Sequence, residues 1–276
     1  MTGLLRYARV RRDRLSQNTA HSFAASHALM HYASGAVYSF IPKNACSTLR
    51  YSLALANQCI AGPEDWTWIH LNNGTFTATL PDLITAPMSF VILRCPHARL
   101  ASVFLDKIVD KTPDLWQLYR LTGDGFDPDT LTFRDFVAIL AQEDLLKANI
   151  HWRPQIDFLV YEDYTQVFAL ERFGETVSSL RDSIGFEVQD ARALTGHGTD
   201  AVTLIDSGDF ADMPLHALGA LKRGGQLPAH AQLYDTALIG QVGDLYSEDL
   251  ELYAEHLPVD QLTFPISFTE PKQDPL

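Results

Sequence analysis

An apolar run from Ala36 to Ile41 breaks at Pro42 and passes straight into Lys43-Asn44-Ala45-Cys46-Ser47-Thr48 and a helix-forming stretch. The pattern predicts a strand, a tight loop and a helix from Ser47 to about Gln58, stopped by Gly62-Pro63. This junction limits the fold most, because a strand feeding a helix across a short loop belongs to α/β architecture. It also carries chemistry. The N–H groups of a helix's first turn lack intrahelical acceptors, and with the helix dipole they favour a bound anion. A lysine and two hydroxyls at that spot predict a cradle for phosphate or sulfate. The loop is not the nucleotide triphosphate motif G-x-x-x-x-G-K-S/T, since its lysine comes first and neither glycine is present.

A second junction follows the same plan. Met88 to Leu93 reads as an apolar strand that runs into Arg94-Cys95-Pro96-His97-Ala98-Arg99-Leu100-Ala101-Ser102-Val103-Phe104, with Pro96 opening a helix through about Val109. Thr165 to Leu170 reads as a third core strand, and Glu175 to Ile184 as a helix ended by Gly185. Strands alternating with helices predict a parallel sheet with ligands at the carboxyl ends of its strands. Both cationic loops fall at such ends.

Elsewhere the pattern predicts a helix from His21 to Tyr32 within a basic, helical N-terminal segment, residues 1–35. A loop region spans Glu64 to Pro87. Leu115 to Lys147 read as mostly helical, with Thr132 as an N-cap. The glycine-rich stretch 195–228 shows no periodic element and reads as a mobile loop closing over the site. A single final helix is expected from Ala231 to Leu257. No repeat or linker divides the 276 residues, so one domain is expected over 1–276.

Charge narrows the partners. Lys plus Arg number 21 against 34 Asp plus Glu, a net charge of −13 that repels nucleic acid and other polyanions. A single phosphorylated ligand needs only a local positive cluster, so the acidic mean does not forbid one. Three cysteines, Cys46, Cys59 and Cys95, suit neither a disulfide framework nor a zinc site. No metal is expected. No apolar stretch is long enough to span a bilayer, and no cleavable leader is evident, so a soluble, cytoplasmic protein is expected. Five arginines between Arg6 and Arg14 could touch an anionic surface weakly, or simply form a solvated face.

Taken together, these segments resemble the PAPS-dependent sulfotransferases, PAPS being 3'-phosphoadenosine 5'-phosphosulfate. The closest likeness is to the carbohydrate branch that includes the chondroitin 4-O-sulfotransferases. Pro42 to Ser47 matches that branch's P-K-x-A-C-T/S, and Arg94 to Phe104 its R-D/E-P-x-E-R-L-x-S-x-Y/F. Asn149-Ile150-His151-Trp152-Arg153 resembles its N-x-H-W-R, and Tyr234-Asp235 through Tyr246-Ser247-Glu248-Asp249-Leu250 its Y-D…Y-x-x-D-L/F. The likeness covers residues 36 to 256. Cys95 and Ala98 depart from it, standing where the family has an acidic residue and a glutamate.

The resemblance implies a P-loop-like three-layer α/β fold with a central parallel sheet flanked by helices, and an acceptor-side helical insertion at about 112–150. It implies PAPS as sulfate donor, and a hydroxyl or amine of a carbohydrate or other small acceptor. Lys43 would act on the bridging and 5'-phosphate oxygens. Ser47, Thr48 and the N–H groups of Asn44, Ala45, Cys46, Ser47 and Thr48 would hold the 5'-phosphosulfate. Arg94 and Ser102 would hold the 3'-phosphate, while Arg99 would serve structure. His70 stands where relatives place a catalytic base, with His151 as runner-up or as part of the acceptor wall with Trp152 and Arg153. Two other readings stay open: a small-molecule kinase with a degenerate phosphate loop, and a non-catalytic nucleotide-binding homologue.

Overall fold

The protein is described by a computed structural model covering residues 4–8, 14–195 and 202–264. At its centre lies a four-stranded sheet in the order β1 (Ala28–His31), β2 (Ala36–Ser39), β3 (Ser89–Leu93), β4 (Gln166–Ala169). β2, β3 and β4 run parallel, with Tyr38 opposite Phe90 and Val91 opposite Val167, while β1 is antiparallel to β2. All five residues of β3 are buried, as expected of a strand covered on both faces. Its side chains alternate between two cores: Phe90 and Ile92 pack on one side, Val91 and Leu93 on the other.

Helices flank the sheet. α2 (Cys46–Ala56) and α7 (Phe173–Ile184) contribute Leu49, Leu53 and Leu180 to the first core. α11 (Ser247–His256) contributes Leu250 and Tyr253 to the second. α1 (Thr19–Ser26), α3 (Leu80–Thr85) and the short α8 (Arg192–Thr195) complete this half. A further core joins α4 (Pro96–Val103), α5 (Pro113–Leu121), α6 (Phe133–Leu140), α9 (Leu215–Arg223) and α10 (Thr236–Leu245) around Phe104, Phe133, Phe136 and Trp152.

Several expectations are corrected. The helix predicted from His21 to Tyr32 ends at Ser26, and Ala28 to His31 form β1 instead. A turn closed by Gly35, at φ 70°, folds this segment back on β2, and ladder pairing overrides helical periodicity. Leu5 bridges Tyr161 in antiparallel fashion and the Arg6 N–H donates to the Val160 carbonyl, so residues 4–8 are not helical. Arg9, Arg11 and Arg12 lie outside the described residues.

The predicted single C-terminal helix divides at Tyr246, whose φ of −118° leaves the helical range and whose hydroxyl donates to the Trp152 carbonyl at 2.6 Å. Asp235 starts α10 by accepting from the Leu238 N–H. The stretch expected to be a mobile loop carries order from residue 202 onward: β5 (Thr203–Ile205), α9 and β6 (Gln226–Pro228) form a small βαβ unit. Strands of three residues are too short to leave a periodic trace. Residues 196–201 of that stretch lie outside the described ones. Thr132 does cap α6, in a reciprocal capping box with Asp135, and Gly185 ends α7 at φ 65°. Among the described residues no helix is long and apolar enough to cross a membrane.

Candidate functional site

The loop after β2 is shaped by two left-handed residues, Lys43 at φ 72° and Ala45 at φ 56°. For residues with a Cβ this costs about 1–2 kcal/mol each, and such turns present their N–H groups to a common concavity. The first helical hydrogen bond of α2 runs from Leu49 N–H to the Ala45 carbonyl at 3.1 Å. The N–H groups of Cys46, Ser47 and Thr48 therefore precede any intrahelical acceptor. Ser47 and Cys46 are half-buried, Thr48 buried. Asn44 faces inward. Its amide donates to the Ile92 carbonyl at 2.8 Å and to Gln155 Oε1 at 2.6 Å, and its N–H lies 3.2 Å from the Ile41 carbonyl.

Lys43 and Arg94 meet on this loop, since the Arg94 guanidinium donates to the Lys43 carbonyl at 2.9 Å. The Lys43 ammonium donates to Asp106 at 2.9 Å, and Lys107 reaches the same carboxylate oxygen at 3.1 Å. Asp106 sits in a π-helical turn, Phe104–Ile108, that continues α4; such turns re-aim side chains and recur at functional sites. Burial lowers the Lys43 pKa, helped by the charges of Arg94 and Lys107 and opposed by Asp106. Burial likewise brings Arg94 down to about 10, with Glu171 acting against it. From the turn after β4 the Glu171 carboxylate accepts the Cys95 N–H at 2.9 Å, which puts an acid beside the position where the resemblance expected one.

A clamp behind the loops holds them in register. Gln155 Oε1 accepts from Asn44 and from the Arg94 N–H at 3.0 Å, while its amide nitrogen donates to the Arg94 carbonyl at 2.9 Å. Asp249 of α11 accepts the N–H groups of Gln155 and Ile156 at 2.8 and 2.9 Å. Burial pushes Asp249 up to about 6, against those bonds and the nearby Arg99 charge. Arg99, buried on α4, donates to the carbonyls of Pro42 at 3.0 Å, Arg153 at 2.8 Å and Ile150 at 3.4 Å. It thereby straps the residues around His151 to the Lys43 loop.

His151 is held by Asp114, 2.8 Å from its Nδ1, and its N–H donates to Asn149 at 2.8 Å. Burial would raise the Asp114 carboxyl, yet hydrogen bonds from His151, Asn149 and Thr112 with the His151 charge hold it well below the usual range. Trp152 is wholly buried and donates to the Leu145 carbonyl, so its ring belongs to the core. His70 is exposed at the end of a 3-10 turn, Pro63–His70, its ring edge-on to Trp66 at 5.4 Å. That turn is tied to α2 by Arg50, which donates to the Ile69 carbonyl. Ser102 is half-buried on α4, whose other residues are buried.

Sequence reasoning missed Asp106, Asp114, Gln155 and Glu171. Two signals were present: Asp106-Lys107 interrupts an apolar helical run, and Gln155 lies two residues after the matched N-x-H-W-R segment. Asp114 and Glu171 had none. Among the described residues no group of histidines, cysteines and acids is arranged to hold a metal.

A mostly parallel α/β sheet whose strand ends bring a lysine, an arginine and a helix's first turn to one loop defines a protein of the anion-handling α/β class. Residues 26–254 match the model of the Sulfotransferase family, and the chain belongs to that family. It is accordingly a sulfotransferase enzyme, and sulfuryl transfer is its chemistry. No curated protein and no solved structure matches it significantly.

Proposed function

We propose that this protein moves a sulfuryl group from PAPS to a hydroxyl or amine of a carbohydrate or other small acceptor by in-line displacement. The supporting observation is the 2.9 Å bond that puts the Arg94 guanidinium on the Lys43 carbonyl, so that the second cationic strand end meets the loop that leads into α2. The Lys43 ammonium, three N–H groups and the Ser47 and Thr48 hydroxyls fit the oxygens of a phosphosulfate, and the loop serves as a P-loop does without its glycines. PAPS supplies an activated sulfuryl group on a phosphate leaving group. Lys43 stabilises the charge that grows on that leaving oxygen. Arg94, with Ser102 on the helix that follows it, takes the 3'-phosphate.

The base we assign to His151. Asp114 fixes its Nδ1 and leaves Nε2 to accept the acceptor's proton, and Arg99 keeps the segment beside the Lys43 loop. His70 is the second reading, supported by its place in the family likeness and by its exposed ring. The acceptor-side wall is built by residues 112–150. Family membership displaces the kinase alternative. Calorimetry with adenosine 3',5'-bisphosphate, followed by turnover of PAPS against an acceptor panel, tests the whole reading. Nucleotide binding without transfer to any acceptor would favour a non-catalytic homologue, and no binding would remove PAPS as donor.

A further inference from the structure

One acid stands inside the cationic site. A single oxygen of Asp106, Oδ2, accepts from Lys43 Nζ at 2.9 Å and lies 3.1 Å from Lys107 Nζ. The carboxylate thus occupies the very ammonium that a bound anion needs. Neither side chain is sealed in: Lys43 is 14% exposed and Asp106 19%, so an anion arriving from solvent can reach the pair.

The two halves of the pair are mounted differently. Around Asp106 the backbone is braced on both sides. Lys222 of α9 donates to the Leu105 carbonyl at 2.8 Å and to Asp110 at 2.6 Å. The Thr112 N–H and hydroxyl both donate to the Lys107 carbonyl, at 3.1 and 3.0 Å, and the Val109 N–H reaches back to the Phe104 carbonyl at 2.9 Å, the wide step that makes the π turn. On the other side the Lys43 backbone is fixed by Arg94 at its carbonyl, but its ammonium ends a flexible four-carbon stem. The group free to swing is therefore the ammonium, while the carboxylate stays in place. Splitting a partly buried ion pair is strongly unfavourable when it strands a charge. Here neither charge is stranded: the ammonium goes to the incoming anion, and the carboxylate keeps Lys107.

We propose that Asp106 is a positioning residue that serves as a built-in anion: it holds the Lys43 ammonium while the site is empty, passes it to an incoming anion while keeping Lys107, and takes it back as the anionic product leaves. The proposal rests on Lys43 as the anion-binding cation inferred above, and not on PAPS as the donor. Such competition lowers affinity for substrate and product alike, and its benefit falls on release of the spent anion, which the cations would otherwise retain.

The test is calorimetry of inorganic pyrophosphate and of adenosine 3',5'-bisphosphate on the full chain. Asp106→Asn should bind both about fivefold more tightly than wild type, the scale of one partly screened ion pair. Loss of a merely structural brace would weaken binding instead. In a Lys43→Met background the same substitution should gain less than about twofold, because no ammonium is left to compete for. Asp110→Asn, which removes an equal charge whose partner is Lys222, should leave affinity within about twofold of wild type. Weaker or unchanged binding in Asp106→Asn, an equal gain with and without Lys43, or an equal gain from Asp110→Asn overturns the proposal. A second measurement needs no variant: in protein carrying isotope-labelled lysine, pyrophosphate should shift the NMR signals of Lys43 and Lys107 together, and a Lys107 signal that stays put overturns the exchange. If pyrophosphate shows the expected gain and the nucleotide does not bind, the donor reading falls and Asp106 keeps its role. If the nucleotide binds wild type and Asp106→Asn equally, Asp106 loses its role and the donor reading stands. Failure of both anions to bind wild type overturns both.

Discussion

The two strand ends that form the site hold their cations in different ways. After β2 the backbone is strained, with two left-handed non-glycine residues, and Lys43 is neutralised by Asp106 through side-chain contacts alone. After β3 the chain is unstrained, with Cys95 at φ −47°, ψ 121° and Pro96 in the first helical turn. Here Arg94 is fixed through its own backbone by Gln155, and its guanidinium rests on the Lys43 carbonyl. An ion pair is exchangeable: an incoming anion can replace the Asp106 carboxylate at the ammonium. Bonds made by main-chain atoms are not exchanged in this way. The comparison teaches that one cation is held by a side-chain partner that another anion can replace, and the other by main-chain bonds that keep it where it is.

If that division holds, the largest effect falls on the exchangeable side. Lys43→Ala should lower kcat by about 10³-fold, the scale for removing one electrostatic stabiliser of a transition state, with the melting temperature nearly unchanged. Unaltered turnover in steady-state assays would put Lys43 outside the chemistry and break the comparison.

Next comes the base. His151→Ala should lower kcat by about 10²-fold while nucleotide affinity measured by calorimetry stays put, and His70→Ala should do far less. The reverse ranking would hand the role to His70.

The fixed side should answer in stability rather than rate. Gln155→Ala leaves the Asn44 amide and the Arg94 N–H and carbonyl without their partner in a buried place, at a cost of about 2–3 kcal/mol in urea unfolding. A loss under about 0.5 kcal/mol would mean the clamp does not hold Arg94.

The smallest effect is a pH dependence at Asp249, whose carboxyl is raised from 3.8 to about 6 in the folded state. Its protonated form favours folding, so its contribution is fully present below 3.8 and is lost as pH rises through about 6. Relative to Asp249→Asn, the wild-type unfolding midpoint should fall across that window and be flat above it. Parallel profiles would remove Asp249 from the anchor.

Much of the frame was legible in the chain. β2, β3, β4 and the starts of α2 and α4 lie within a residue or two of where periodicity, Pro96 and the apolar runs place them. The C-terminal third was not. β5 and β6 are three residues long, and the break at Tyr246 is set by a hydroxyl reaching Trp152, 94 residues away. The departure at Cys95 was legible as a gap. What fills it, Glu171, lies 76 residues on.

The chain alone determined the two strand–loop–helix junctions and the residue types they present, because strand alternation, proline placement and the orphan N–H groups of a helix start are properties of a few consecutive residues. Only the tertiary structure decided that Lys43 pairs with Asp106 across 63 residues and that Asn44 and Gln155 join across 111. Charge and hydrogen bonding act through space, over distances that packing sets, so the spacing of residues along the chain carries no record of which side chains will meet.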